Sequence, residues 1–98
     1  MIRRFKIADR SMLPNFKEGD FILAEKFSYL FSKPKENDVI VLKHPHNSKF
    51  LLKRISKAIN GAVFVEGDNK TESEDSRQFG PVSKSHVVGK VLMHVRKN

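Results

Sequence analysis

Ninety-eight residues, 39% hydrophobic and 31% charged, make one small domain with a modest core and exclude a second. The absence of cysteine excludes a disulfide framework, a thiol nucleophile and a thiolate metal site, and fits a reducing compartment. A net charge of +8 admits a polyanionic partner, yet the basic residues run from Arg3-Arg4 through Lys33, Lys43 and Lys53-Arg54 to Arg96-Lys97 without gathering in one arm. No apolar run approaches the roughly 20 residues of a membrane span, and no apolar stretch of a signal peptide follows Met1-Ile2-Arg3-Arg4. The chain as given therefore reads as soluble and cytoplasmic.

In chain order, Phe5-Lys6-Ile7-Ala8 reads as a short strand entering a bend at Ser11-Met12-Leu13-Pro14. Pro14 to Asp20 carries turn chemistry, and Phe21 to Lys26 resumes a strand. Phe27-Ser28-Tyr29-Leu30-Phe31 is the densest aromatic patch. It is either a greasy surface that touches a membrane or a substrate or, the commoner role, core or a strand edge under a loop. Val39-Ile40-Val41-Leu42 is a continuous apolar run of strand length, which places it in mid-sheet with both faces covered. His44-Pro45-His46 ends that run; without carboxylate or cysteine partners at ligand spacing it reads as a loop, not a metal site.

Phe50 to Ile59 and Ala62 to Val65 flank Asn60-Gly61, a pair that takes positive φ cheaply, so the two runs are expected to close as a type I′ hairpin. Gly67-Asp68-Asn69 turns the chain into a polar loop from Lys70 to Arg77, and Gly80-Pro81 is a second turn. His86 to Arg96 alternates, with Val87, Val91, Met93 and Val95 on one face and Gly89 marking a bulge. No segment sustains a 3.6-residue period. The expected fold class is all-β or mainly β, a single small antiparallel β domain over residues 1–98.

Two residues are candidates for chemistry. Ser11, between a strand and a proline, is either held at a bend with its hydroxyl presented or is an ordinary turn former bonding nearby backbone. Alternation along its strand puts Leu51, Lys53 and Ile55 on one face, with Phe50, Leu52 and Arg54 on the other. Free lysine titrates near about 10.4, so at neutral pH almost none of it holds a usable lone pair. Apolar burial disfavours the ammonium and would turn Lys53 into a general base. The alternative is a lysine that snorkels from a sheet edge.

Ser11-Met12-Leu13-Pro14, Gly19-Asp20-Phe21-Ile22, Lys53-Arg54-Ile55 and the long run from Gly67-Asp68-Asn69 through Ser73-Glu74-Asp75-Ser76-Arg77 to Gly80-Pro81-Val82 resemble, in order, the boxes of the type I signal peptidase family of serine proteases. Short length and the Gly-Pro-Val ending look most like small soluble members, including the nickel-type superoxide dismutase maturation proteases. The resemblance implies a Ser/Lys dyad, with Ser11 as nucleophile and Lys53 as its base. It further implies that Ser73 orients the Lys53 amine and that Asp68, Asp75 and Arg77 brace the site by ion pairing. The implied fold is the mainly β catalytic domain shared with self-cleaving SOS repressors. That domain binds a precursor protein or peptide as an added strand, and no cofactor or metal is implied.

In many bacterial family members a serine two residues before the nucleophile donates to the oxyanion, whereas this chain carries Asp9 there and Arg10 next to it. The resemblance then leaves the Ser11 backbone N–H as the oxyanion donor. Lys70 stands where arginine is usual, which weakens a bidentate brace. The function expected is removal of an N-terminal leader from a precursor, by a soluble maturation protease. Alternatives are a membrane-associated signal peptidase touching lipid through Phe27, Tyr29, Leu30 and Phe31, a relative that binds peptides without cutting them, and a non-catalytic basic β domain that binds nucleic acid.

Overall fold

The computed structural model describes residues 2–97. Seven strands, β1 (Ile2–Lys6), β2 (Phe21–Glu25), β3 (Val39–Lys43), β4 (Phe50–Ile59), β5 (Ala62–Glu66), β6 (Val82–Ser83) and β7 (Val87–Val95), form one antiparallel sheet in the order β1-β2-β7-β3-β4-β5-β6. Two single-turn helices, α1 (Ser28–Phe31) and α2 (Ser76–Phe79), lie in the connections. The fold is mainly β, as expected.

The apolar run of β3 explains how the sheet is filled. Ile40 and Leu42 enter one buried cluster with Ile55, Val63, Val65, Val82 and Val87, while Val41 enters a second with Ile7, Met12, Phe16, Ile22 and Ala24. One strand serves two cores, so it has no polar face to spare. At Asn60-Gly61 both residues take positive φ, 49° and 83°, and the hairpin between β4 and β5 closes there.

Two expectations fail for local reasons. Met93 and Val95 do not share the face of Val87: they are about half exposed. The β2–β7 ladder slips between Leu23 and Ala24, where partners step from Met93 to Val91, and the extra residue turns the end of the strand over. The aromatic patch is not core beneath a loop, because Phe27, Leu30 and Phe31 are 54%, 70% and 89% exposed on and beside α1. Tyr29 alone turns inward, packing on the first core cluster and donating its hydroxyl to Asp38 Oδ2 at 2.7 Å. A bulge does adjoin Gly89: the β3–β7 register shifts beside it, and a Cβ there would strike the Glu25 backbone.

Candidate active site

Lys53 lies opposite Ile40 in the β3–β4 ladder, on the face that carries Ile55. It is 1% exposed and forms no salt bridge among the described residues. Its Nζ donates to Ser73 Oγ at 3.0 Å. Ser73 Oγ donates in turn to Asp75 Oδ2 at 2.6 Å, so its proton is committed and its lone pairs face the lysine. Burial pushes the Lys53 amine below the ordinary ammonium range, and the nearby carboxylates of Asp9, Asp75 and Glu74 oppose that shift without cancelling it.

Asp75 is completely buried and fully used. It also accepts from the Gly67 N–H at 2.8 Å and, in a fork, from Arg77 Nε and Nη2 at 3.0 and 3.2 Å. Burial alone would raise its carboxyl, but the Arg77 guanidinium, the Ser73 hydroxyl and the two backbone donors hold it well below the usual carboxylate range. Asp75 also caps α2, accepting from the Arg77 N–H, while Gln78 Oε1 accepts from the Asp75 N–H at 2.9 Å. This capping box is why the polar loop ends in a helical turn and why Asp75 cannot swing away.

The Ser11 bend is pinned from beneath and from one side. Met12 and Phe16 plug into the second core cluster. The Ser11 carbonyl accepts from the Asn69 N–H at 2.8 Å, and Asn69 Nδ2 donates to the Arg10 carbonyl at 3.0 Å. A Cβ on Gly67 would collide with both Ser73 Oγ and the Ser11 carbonyl oxygen, so only glycine lets the serine bend and the Ser73 segment close on each other. Asp68 holds the same junction, accepting a bidentate pair from Arg54 at 2.9 Å through each oxygen and a third bond from Asn15 at 2.8 Å.

Ser11 departs from expectation in two respects. Its hydroxyl is not presented to solvent, since the residue is 3% exposed, and it donates to Asp9 Oδ1 at 3.0 Å instead of to Lys53. The same Asp9 oxygen accepts from the Ser11 N–H at 3.2 Å, so the backbone donor assigned to an oxyanion is engaged at rest. The structure thus brings Lys53, Ser73, Asp75 and Arg77 into one network and ties Asp68 to the Ser11 bend, but leaves no direct Ser11–Lys53 hydrogen bond.

Beside the pair runs a gap between two strand edges. Sheet order leaves the outer edge of β1 without a strand partner, and β5 pairs with β4 only from Arg54 onward, so the edge of β4 from Phe50 to Lys53 is open too. The bonds Ile7 N–H to Asp20 and Ile55 N–H to Asp38 set the phase of each ladder. Alternation then points the backbone groups of Lys6 and Ala8, and of Phe50 and Leu52, toward the gap. The curled sheet brings these edges face to face, with the rings of Phe5 and Phe50 5.4 Å apart. Between them lies a hollow of about 100 Å³ lined by Ile7, Ala8, Asp9, Val41, Leu51 and Leu52, among others. Neither Ser11 nor Lys53 lines this hollow, but Asp9 and Leu52, which lie close to them in the chain, do; the roomier grooves described on the surface include none of these four.

Compared with known proteins, the chain matches the family described as signal peptidase, peptidase S26, over residues 1–56 and 56–95. It belongs to that family. Among its curated relatives are the mitochondrial ATP-independent inner membrane protease subunit 1b of Arabidopsis thaliana, 34% identical over 87% of this chain and 64% of the relative, and subunit 1a from the same plant, 36% identical over 87% and 65%. Signal peptidase I V of Bacillus subtilis is 26% identical over 87% of this chain and 80% of its own length. The chain thus spans a little under two thirds of the two plant relatives.

Sequence reasoning missed several members of this candidate site. Arg54 is the partner of Asp68; it stood beside Lys53 with no role given. The signal for α2 was legible as Asp75 followed three residues later by Gln78. Asp20, 2% exposed, accepts from His94 Nε2 at 2.7 Å and from the N–H groups of Lys97 and Lys17 at 2.8 and 3.0 Å, clamping the far end of the serine loop to the end of β7. Those bonds, that of Lys97 foremost, lower its carboxyl to about 2. Lys70, in the place where arginine is usual, is exposed and pairs with half-buried Glu66 at 2.9 Å, while among the described residues Arg77 alone supplies the fork on Asp75.

Proposed function

We propose that this chain is a serine endopeptidase that removes an N-terminal leader from a precursor protein, with Ser11 as nucleophile and Lys53 as general base. The observation that carries this reading is the Lys53 amine: fully buried, without a carboxylate partner among the described residues, and aimed by a serine whose own proton is already given to Asp75. A buried lysine paired to an acid would stay charged, whereas one kept dry and unpaired has reason to be neutral.

In the proposed reaction the neutral Nζ takes the Ser11 hydroxyl proton as Oγ bonds to the scissile carbonyl carbon, and the carbonyl electron pair moves onto oxygen. The Ser11 N–H is placed to stabilise that oxyanion once it is free. Collapse breaks the C–N bond, and the leaving amine takes the proton from Lys53. Water then attacks the acyl carbon as Lys53 Nζ, neutral again, takes its proton; the ester C–Oγ bond breaks and Lys53 returns that proton to Ser11 Oγ. Ser73 holds the amine in position throughout and Asp75 holds Ser73.

The substrate is proposed to lie as an extended strand between the open edges of β1 and β4, bonded to the backbone of Lys6, Ala8, Phe50 and Leu52. The hollow there is proposed to take an apolar side chain of the bound strand. Among precursors, the leader of a nickel-type superoxide dismutase is the finer proposal, resting on the likeness to small soluble maturation proteases. Mass spectrometry of precursors incubated with wild type, Ser11→Ala and Lys53→Ala tests the reading. Trimming by wild type alone is expected, and trimming by either variant would overturn the dyad.

A second reading keeps this chemistry and moves it to a membrane surface. It is favoured by Phe27, Leu30 and Phe31, which protrude beside Lys26 and Lys33 as an apolar tip with a basic rim. Stimulation of cleavage by anionic vesicles, lost in Leu30→Ser/Phe31→Ser, is the expected outcome; equal rates with and without vesicles would eliminate it.

A further inference from the structure

We propose that Asp9 is a displaceable gate on the nucleophile, so that the resting enzyme holds its own carboxylate where the substrate oxyanion must sit. The inference rests on the reading of Ser11 as nucleophile. One carboxylate oxygen, Oδ1, accepts both hydrogens that catalysis needs elsewhere: the hydroxyl proton destined for Lys53 and the backbone N–H destined for the oxyanion. A carboxylate oxygen on that N–H resembles the oxyanion in charge and in acceptor geometry, so it competes directly for the donor.

The gate is built to open. Asp9 is exposed, and among the described residues its side chain has no partner other than Ser11 and no salt bridge. Nothing in the core holds it, so swinging outward exchanges two hydrogen bonds for water. It also lines the hollow between the open edges of β1 and β4, where a bound strand would press on it. A substrate therefore gains the Ser11 donor only by expelling Asp9, and the displaced charge stays close enough to disfavour the developing oxyanion.

Reaction of the full chain with a fluorophosphonate probe tests this without a known substrate. The Ser11 Oγ–P bond forms as P–F breaks, fluoride leaves, the serine proton passes to Lys53, and the phosphoryl oxygen needs the same donor as an oxyanion. Asp9→Ala and Asp9→Gly, which remove the acceptor and add no donor, are each expected to label at least about tenfold faster than wild type, since one such donor is worth roughly 100-fold or more. Glu36→Gln, which removes an exposed acid that has no side-chain hydrogen bond or ion pair among the described residues, is expected to label as wild type does, and Ser11→Ala not at all. Because Asp9 is exposed, both Asp9 variants are expected to melt with wild type. Labelling by the variants where wild type fails would be the strongest support. Equal or slower labelling by both Asp9 variants would overturn the gate and leave the protease reading standing. No labelling of any form would overturn the gate and the nucleophile together.

Discussion

The two halves of the candidate dyad are prepared to different degrees. On the lysine side the hydrogen bonds form one continuous chain: Lys53 donates to Ser73, Ser73 to Asp75, and Arg77 and Gly67 fix Asp75 from behind. On the serine side the backbone is equally fixed, by Met12 in the core and Asn69 on the Ser11 carbonyl, but the Ser11 hydroxyl points at Asp9. A base must be kept dry permanently because its altered pKa is a property of the folded environment. A hydroxyl needs only a rotation about χ1, so it can be held in reserve until substrate arrives.

If the lysine side is the permanent half, breaking it should cost most. Lys53→Met keeps the volume and removes the amine; cleavage is expected to fall by about 10,000-fold or more, as it should for Ser11→Ala. Thermal melts of Lys53→Met should match or exceed wild type, because a buried amine without a charged partner contributes little to stability. A marked loss of stability would instead make Lys53 a structural residue. Ser73→Ala leaves the amine buried but unaimed and should lower kcat by about 100-fold with KM little changed. Asp75→Asn weakens the fork with Arg77 and turns one acceptor into a donor, and denaturant melts should show a loss of about 3 kcal/mol.

The smallest expected effect concerns the clamp on the serine loop. Asp20 is lowered from 3.8 to about 2 in the fold, so its ionised form favours folding fully above pH 4. That contribution disappears as pH falls from about 4 to 2, and Asp20→Asn should flatten the drop in stability across this window, read by acid titration of the melting midpoint.

Much of the fold was legible because short apolar runs separated by Gly, Asn and Pro have few other solutions. The double role of β3 could be read from four consecutive apolar residues, and the Asn60-Gly61 hairpin from one dipeptide. The turned-over end of β7 could not, because a bulge at Leu92 changes no composition and is set by the match with β2. α1 was hidden for a different reason: four residues are too few to show a helical period. Within the site, Leu51 and Ile55 on the same face made Lys53 a candidate for burial, but they left open a lysine that snorkels from a sheet edge. The engagement of Ser11 by Asp9 was not legible, since it depends on how a side chain two residues away folds back over the bend. The mismatch in charge at Asp9 was visible; its position on the Ser11 N–H was not.

Sign fixes what pH should do to the dyad. Burial lowers the Lys53 pKa, so the folded chain binds fewer protons there than the unfolded chain, and the cost of burying the ammonium grows as pH falls below 10.5. Cleavage should rise with pH along the same titration. The most direct measurement is an NMR titration of the Lys53 side-chain nitrogen in the full chain, with Lys53→Met to assign the signal. A midpoint clearly below 10.5 that coincides with the rising limb of kcat/KM is the predicted result. A midpoint at or above 10.5 would mean that the amine stays charged and cannot be the base for Ser11.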